Sequence, residues 1–267
     1  MMKSFLFSVL SLFIINFSFS QGFDSTEVCI IGTSHTNTDF CNVNALYSIL
    51  CNVKPDLILI ETDSSFFTPD LQYDSIRYPY LFDENKSSVE IIASHKYQQK
   101  FKTDIRPYDI PKRNQFYRDN DFFNRQHQLF RDIYKLGNKD SLSNVNQMYF
   151  RLFTLSLGRV NNLKITSLRE LNSEEVMRLL EIQQFIELNV PIGIVETTNS
   201  LKKHIEFAHL QKDFWEKRNQ QMVQNILIFT KRYKRIVVLT GNLHRYYLVN
   251  ELSALKGNFK LKDFWKY

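Results

Sequence analysis

Three short segments of this 267-residue sequence are apolar without a break, and they constrain the fold more than any other feature. They are VCII at 28–31, LILI at 57–60 and IVVL at 236–239. A strand with one face in water alternates polar and apolar residues, whereas an unbroken apolar run is typical of a strand covered on both faces. The sequence therefore predicts an α/β fold, in which helices flank a mostly parallel sheet.

Helical patterns separate these runs in the first half of the chain. Apolar residues recur at helical spacing in 43–50, and segment 88–101 is predicted to be a second helix. A short third strand is predicted in DIRPYDI, ending near Pro107. This alternation of strands and helices is the order of a βαβαβ unit with right-handed crossovers.

The middle of the chain has a different pattern. Segment 113–188 is rich in Phe and Tyr and has few strand signals, which predicts a helical insertion or cap. Segment 192–195 is expected to form a short strand or a buried loop. The α/β pattern then resumes with a long helix at 210–231, the strand 236–240 and a last helix after His244. The predicted organisation is a signal peptide at 1–20, the first half of the α/β domain at 21–112, the cap at 113–188 and the second half at 189–267.

The amino terminus has the pattern of a secretory signal peptide. Lys3 provides a positive start, segment 5–17 is almost wholly apolar, and the small residues Ser18 and Ser20 have the spacing that signal peptidase needs. The apolar stretch is too short for a permanent transmembrane helix. We therefore expect cleavage before Gln21 and an exported protein, periplasmic or secreted, without a permanent membrane anchor.

The composition is that of an ordinary soluble globular protein and argues against a nucleic-acid-binding protein. Hydrophobic residues make up 43% of the chain and charged residues 23%, as in ordinary soluble globular proteins. The formal charge of +6 comes from scattered Lys and Arg residues rather than a basic run, so no nucleic-acid partner is expected.

Three cysteines, Cys29, Cys41 and Cys51, give no clear disulfide or metal pattern. An odd number cannot pair completely within one chain, and the spacing matches no zinc motif. A bridge between Cys41 and Cys51 remains open at this stage.

Three predicted strand ends carry residues capable of chemistry. GTSH ends the first strand with His35, the second strand is followed by Glu61, and GNLH ends the late strand with His244. Parallel strands end at one edge of the sheet, where ligands of α/β proteins bind. We expect each glycine to permit a tight exit turn and the three side chains to converge in a crevice.

Two imidazoles and a carboxylate are compatible with two kinds of chemistry. They have the composition of a catalytic divalent-metal site with open positions, and equally that of a metal-free acid and base pair. The structural alternative is that both histidines cap helices beside an inert crevice and Glu61 favours a helix N-terminus. Asp63 is interpreted as a cap rather than a ligand, and Asp109, in the loop after the third strand, is interpreted as an ordinary loop residue, with a place at the crevice edge as the alternative.

The long helix before the last strand carries a polar residue on its apolar stripe. The stripe is spaced four, three, four, three and consists of Trp215, Asn219, Met222, Ile226 and Phe229. A buried Asn219 needs a hydrogen-bond partner. Because this helix begins at the carboxyl edge of the sheet, Arg218 and Asn219 are predicted to lie near the two histidines, where Arg218 could stabilise a carboxylate or an oxyanion.

These motifs resemble the TraB/GumN/TIKI superfamily, whose wider circle includes the erythromycin esterases and the ChaN-type haem-binding proteins. The resemblance covers about 28–63 and 215–252, including EKRNQQM around Arg218 and Asn219. It implies that His35, Glu61 and His244 are the site residues. TIKI members are metal-dependent peptidases, which implies a divalent metal such as Mn, Co or Zn, whereas the esterase relatives work without one.

The function predicted from the motifs and the resemblance is an exported hydrolase, a peptidase or an esterase, acting on a peptide or small-molecule substrate. The site would consist of His35, Glu61, His244, Arg218 and Asn219, with a metal bound by the first three if one is present. The alternatives are a haem-binding or metal-binding protein without catalysis, and an inert interaction protein.

The cap is predicted to roof the crevice, because strand three leaves the sheet at its carboxyl edge. The cap carries more rings than a small helical pair needs for its own core: Phe116, Tyr117, Phe122, Phe123, Phe130, Tyr149, Phe150 and Phe153. Some are expected to line a pocket for a partly apolar substrate, and the alternative is that all of them pack inward.

Overall fold

The computed structural model describes residues 25–161 and 163–267. Its sheet has five strands, all parallel, in the order β3-β2-β4-β1-β5, which confirms the predicted α/β fold. The strands are β1 Thr26–Thr33, β2 Leu57–Ile60, β3 Asp104–Pro107, β4 Arg235–Gly241 and β5 Phe259–Leu261. The helices are α1 Val43–Val53, α2 Val89–Phe101, α3 Arg113–Asp119, α4 Phe122–Gly137, α5 Asn144–Asn161, α6 Leu168–Leu171, α7 Glu174–Thr197, α8 Ile205–Phe229 and α9 Asn242–Ala254.

Both faces of the sheet are covered, which explains the unbroken apolar runs. Successive residues of a strand point to opposite faces. On β1, Ile31 packs in the core that contains α1 and α2, whereas Ile30 packs in the core that contains residues of α8 and α9. A polar side chain at either position would lose its hydrogen bonds to water on folding, which costs free energy, so both positions are apolar.

The strand order brings the two GxxH motifs side by side. β4 lies between β1 and β2, and Thr33 at the end of β1 pairs with Gly241 at the end of β4. The residues that follow β1, β2 and β4 therefore share the carboxyl edge of the sheet.

The helical segment forms a second core beyond that edge. Buried side chains of α4, α5 and α7 pack there against the first half of α8. Polar contacts tie the segment to the sheet at two points: the Asn114 amide donates to Asp63 after β2, and the side chain of Asn172, between α6 and α7, bonds to the backbone of Gly32. These contacts place the cap over the carboxyl edge. The predicted cap bounds are partly wrong, because α6 and the start of α7 pack in the core of the sheet beside α1 and α2.

The expectation of a strand or buried loop at 192–195 is wrong. These residues lie inside α7, and the boundary drawn between 188 and 189 falls within the same helix. Pro191 and Gly193 suggested a break in the sequence, but Ile194 and Val195 are fully buried in the cap core, and such packing outweighs the weak propensities of Pro and Gly. α8 likewise begins at Ile205 rather than near 210.

The signal peptide and its cleavage site lie outside the described residues. Among the residues that are described, no helix is long and apolar enough to cross a membrane. Cys29, Cys41 and Cys51 are all free thiols, so the bridge between Cys41 and Cys51 is not formed.

Candidate active site

Each of the two GxxH motifs packs closely against the glycine of the other motif. A Cβ on Gly241 would lie 2.5 Å from His35 Nε2, and a Cβ on Gly32 would lie 3.2 Å from the Cα of Asn242. The first distance is shorter than real Cβ contacts, so a larger residue at 241 would displace the ring of His35. Neither glycine has a positive φ; the expected reason for their presence, a tight exit turn, is therefore wrong, and close packing replaces it.

The tight backbone turn lies at His35 itself. Its φ of 60° is in the left-handed region, which few residues other than glycine adopt, although histidine does so more readily than most. This conformation carries the ring of His35 from the end of β1 back over β4. Strained backbone of this kind is found preferentially at functional sites.

Glu61 is the centre of the site. Its Oε1 accepts a hydrogen bond from Arg218 at 2.6 Å and lies 3.6 Å from His244 Nε2 and 3.9 Å from His35 Nε2. Its Oε2 accepts from the Thr240 hydroxyl at 2.8 Å and the Gly241 amide at 2.6 Å. Glu61 thus bonds at the start of α9, as the structural alternative expected, and also faces both imidazoles.

His244 is fixed in a single orientation. Its Nδ1 lies 2.7 Å from Asn219 Oδ1, while the Asn219 amide nitrogen donates to the Trp215 carbonyl. Because a carbonyl can only accept, the Asn219 oxygen faces His244, and His244 Nδ1 carries the proton. Nε2 of the neutral ring is then an acceptor directed toward Glu61. The Trp215 ring stacks on His244 with centroids 4.2 Å apart.

His35 is held by a carboxylate that the sequence analysis missed. Its Nδ1 lies 2.9 Å from Oε1 of Glu90, in the first turn of α2, and Thr33 donates to the same oxygen. The His35 side chain is 46% exposed, and its Nε2 faces Glu61 and Gly241. Glu90 thus fixes the ring through Nδ1.

Arg218 is fully engaged by acidic groups. It forms a bidentate pair with Asp109, with both bonds at 2.8 Å, besides its bond to Glu61. Arg113 reaches the same Asp109 at 2.6 Å. Of the two roles expected for Arg218, the structure shows the contact with carboxylates, because Arg218 holds Glu61 and Asp109 at the sheet edge.

The pKa values of the two histidines are shifted in opposite directions. Burial and the nearby Arg218 charge outweigh the attraction of Glu61 and lower the pKa of His244 to about 4. Burial also opposes protonation of His35, but the hydrogen bond and charge of Glu90, together with Glu61, raise its pKa above the ordinary value of 6.5. Near neutral pH, His244 is thus uncharged and His35 is the stronger base.

Both carboxylates of the site remain ionised. Burial alone would raise the pKa of Glu61, but His244, once it is protonated at low pH, and the charges of Arg218 and His35 hold this pKa well below its usual range. Burial likewise opposes ionisation of Glu90, and the hydrogen bond from His35 lowers its pKa.

The structure thus brings the five predicted site residues together. His35, His244 and Arg218 surround the carboxylate of Glu61, and Asn219 binds His244. Asp63 is a cap, because it accepts from the amides of Ser65 and Asn114, and Asp109 is a partner of Arg218. The signal for Glu90 was present in the sequence: it is an acid within VEIIA, at the start of a helix, flanked by apolar residues.

The residues around Glu61 fit a divalent metal poorly. Among the described residues, no group of three or more His, Cys, Asp and Glu side chains is arranged to hold a metal ion. Both oxygens of Glu61 already accept hydrogen bonds, and a metal on Oε1 would share that oxygen with the Arg218 cation. Repulsion between these cations would weaken such a site.

A cavity lies between residues of α3 and α4. Its volume is about 580 Å³, and it is lined by Asn114, Tyr117, Arg118, Asp121, Phe122, Phe123 and Asn124. Tyr117 is close to the site: burial raises the pKa of its hydroxyl, and the charge of Arg218 opposes that rise. Of the other cap rings, Phe150 and Phe153 pack inward and Tyr149 is exposed.

No family model, curated protein or solved structure matches the chain. The resemblance to the TraB/GumN/TIKI superfamily therefore rests on the motifs around His35, Glu61, Arg218 and His244 alone.

Proposed function

We propose that the protein is an exported hydrolase of esters or amides that activates water with His35 and needs no metal. One observation carries this proposal: two imidazoles with opposite pKa shifts face a single carboxylate at the carboxyl edge of a parallel sheet. Paired titratable groups whose environments separate their pKa values are the usual mark of acid and base catalysis.

His35 is the general base in this proposal. The Nδ1–H of His35 donates a hydrogen bond to Glu90, so the lone pair of Nε2 is free to take a proton from water. The water oxygen attacks the substrate carbonyl carbon. The imidazolium that forms is stabilised by Glu90 and Glu61 and then returns its proton to the departing alcohol or amine as the C–O or C–N bond breaks.

His244 orients the water in this proposal. Its Nδ1 proton is held by Asn219, and its unprotonated Nε2 lies 3.6 Å from Glu61 Oε1, on the side where His35 Nε2 also lies. Nε2 can accept the second O–H of the water, which directs the water lone pair toward the carbonyl. Arg218 and Asn219 are positioning residues, because they act through Glu61 and His244.

The acid side of the pH profile tests this assignment. A base works in its unprotonated form, so kcat/KM is expected to fall as pH drops through the pKa of His35, which lies above 6.5. Glu90→Gln removes the group that raises this pKa, so the fall is expected to move to lower pH, and kcat at pH 8 to decrease at least about tenfold.

Glu187→Gln is the matched control for Glu90→Gln. Glu187 is a glutamate inside α7 that is half-buried, less than Glu90, and none of its contacts involves His35. Its substitution is expected to leave the profile unchanged. If Glu90→Gln reduces the rate without moving the profile, Glu90 only supports the fold and the assignment of His35 is wrong.

Elemental analysis distinguishes this proposal from a metal-dependent one. The purified mature protein is expected to carry far less than one Mn, Co or Zn per chain and to keep its hydrolytic activity after dialysis against EDTA. Arg218→Ala removes the competing cation, and this variant is expected to bind Zn²⁺ more tightly than the wild type. One metal per wild-type chain, lost together with activity in EDTA and absent from a His35→Ala/His244→Ala variant, would replace the proposal with metal-dependent hydrolysis.

A further inference from the structure

We propose that the edge of the sheet opposite the candidate active site docks on a bilayer of anionic phospholipids. All five strands begin at this edge because the sheet is parallel, and α1, α2, α8 and α9 end there because each of them precedes a strand. This surface, called the amino edge below, consists of segments 25–27, 54–56, 102–104, 230–235 and 256–262.

The fold gathers at the amino edge basic residues that are scattered in the sequence. The five segments contain nine basic and three acidic residues, a net charge of +6 (9 − 3), which equals the formal charge of the whole chain. The four helix ends contribute about half a negative charge each, so the edge remains positive by about four charges. The basic residues are Lys54, Lys102, Lys231, Arg232, Lys234, Arg235, Lys256, Lys260 and Lys262.

The acidic residues of the amino edge do not neutralise these cations. Glu27 has three partners, because Arg235, Lys260 and Lys262 all lie within 3.4 Å of its carboxylate. The carboxylate of Asp56 accepts from two backbone amides at the start of β4. The group around Glu27 therefore keeps a net positive charge that is available to an anionic surface.

A cavity at the amino edge brings further cations together with apolar side chains. It lies between the ends of α8 and α9 and the starts of β1 and β5, and its volume is about 550 Å³. The residues that line it include three basic ones, Lys231, Arg232 and Lys256, and no acidic one. Ile228 and Leu255 also line it, and their side chains are 52% and 44% exposed.

A bilayer is the partner that matches both the cations and the apolar side chains. Lipid phosphates attract Lys and Arg, and the region below the headgroups accepts exposed apolar side chains. Phe101, the last residue of α2, is 46% exposed and directly precedes Lys102, so the same combination recurs near β3. Single-stranded nucleic acids are bound by stacking of bases on aromatic rings, which Ile228 and Leu255 lack. Docking by this edge leaves His35 and the carboxyl edge facing away from the bilayer.

Cosedimentation with lipid vesicles tests the docking surface. The mature protein is expected to bind vesicles of phosphatidylcholine and phosphatidylglycerol but not vesicles of phosphatidylcholine alone, and to dissociate in about 0.5 M NaCl because salt screens exposed charges. Lys231→Glu/Arg232→Glu is expected to weaken binding at least about 30-fold. Arg131→Glu/Lys135→Glu is the matched control, because it reverses two exposed charges on α4, and it is expected to weaken binding less than about threefold.

The apolar contact is tested separately. Ile228→Ser/Leu255→Ser is expected to weaken vesicle binding at least about fivefold, whereas Ile76→Ser, in the exposed segment that follows β2, is expected to leave it unchanged. Circular dichroism checks that each variant remains folded. Absence of binding to phosphatidylglycerol vesicles at low salt would overturn the proposal, and so would binding that survives Lys231→Glu/Arg232→Glu. If Ile228→Ser/Leu255→Ser binds as the wild type does, no apolar contact forms, and the amino edge would be assigned to a soluble polyanion such as heparin instead.

Discussion

A His35→Asn variant of the mature protein is expected to lose between about 10² and 10⁴ of its kcat for ester or amide hydrolysis, because it lacks the general base. Asn is preferred to Ala because it tolerates the left-handed backbone at this position, where φ is 60°. The side chain of His35 is nearly half exposed, but its loss removes the imidazole partner of the buried Glu90, so a lower melting temperature is expected and kcat is compared at a temperature at which both proteins are folded. A panel of p-nitrophenyl esters and fluorogenic peptides measures the activity, and circular dichroism measures the fold.

His209→Ala is the matched control for this variant. His209 is also a half-exposed histidine paired with a glutamate, but its partner Glu196 lies on α7 and not in the site. Its substitution is expected to leave kcat within about twofold of the wild type. Turnover retained by His35→Asn on every substrate that the wild type hydrolyses would remove His35 from the reaction and end the proposal.

Much of the architecture could be predicted because it depends on local patterns. The unbroken apolar runs at β1, β2 and β4 require two covered faces, and the structure provides them. A parallel sheet aligns its carboxyl ends, so the positions of His35, Glu61 and His244 followed from the order of strands and helices. The spacing of α8 likewise located Asn219 on the buried stripe.

The parts that were missed depend on contacts between segments distant in sequence. Glu90 reaches His35 across 55 residues, and Arg218 reaches Asp109 across 109. The spacing of apolar residues within one segment cannot show which distant residue a polar side chain will contact. The role of the two glycines was missed for the same cause. Each glycine is required by the close approach of the other GxxH motif and not by its own backbone angles. A buried acid in an apolar segment, as at Glu90, is the one local signal of such a pairing, since an unpaired buried charge is costly.

The misreading of 192–195 has a related cause. Pro191, Ile192, Gly193 and Ile194 resemble a broken strand because Pro and Gly disfavour helix interiors. α7 nevertheless continues to Thr197, because its last turns are buried against the cap core and against α8. Local propensity amounts to about 1–3 kcal/mol for these residues, and the burial of several large apolar side chains exceeds it.

Arg218→Ala is expected to be the most destabilising single change in the site. It leaves Glu61 and Asp109, whose side chains are 5% and 0% exposed, without their shared cation. Removal of one partner of a buried ion pair costs about 3–5 kcal/mol, and urea denaturation at pH 7 measures this loss in the free energy of unfolding. Arg178→Ala is the control, because its pair with Glu174 is mostly exposed and contributes below about 0.5 kcal/mol.

The pH dependence of that loss follows from the lowered pKa of Glu61. A carboxylate with a lowered pKa stabilises the fold above its unfolded value of 4.5, and this contribution disappears as pH falls through the folded pKa. The gap between the wild type and Arg218→Ala is therefore expected to be largest near neutral pH and to narrow below pH 4.5. Arg218→Lys keeps the charge but cannot form the bidentate pair with Asp109, so an intermediate loss is expected. If Arg218→Ala unfolds with the same free energy as the wild type at pH 7, another group neutralises these carboxylates, and Arg218 would be free to contact the substrate.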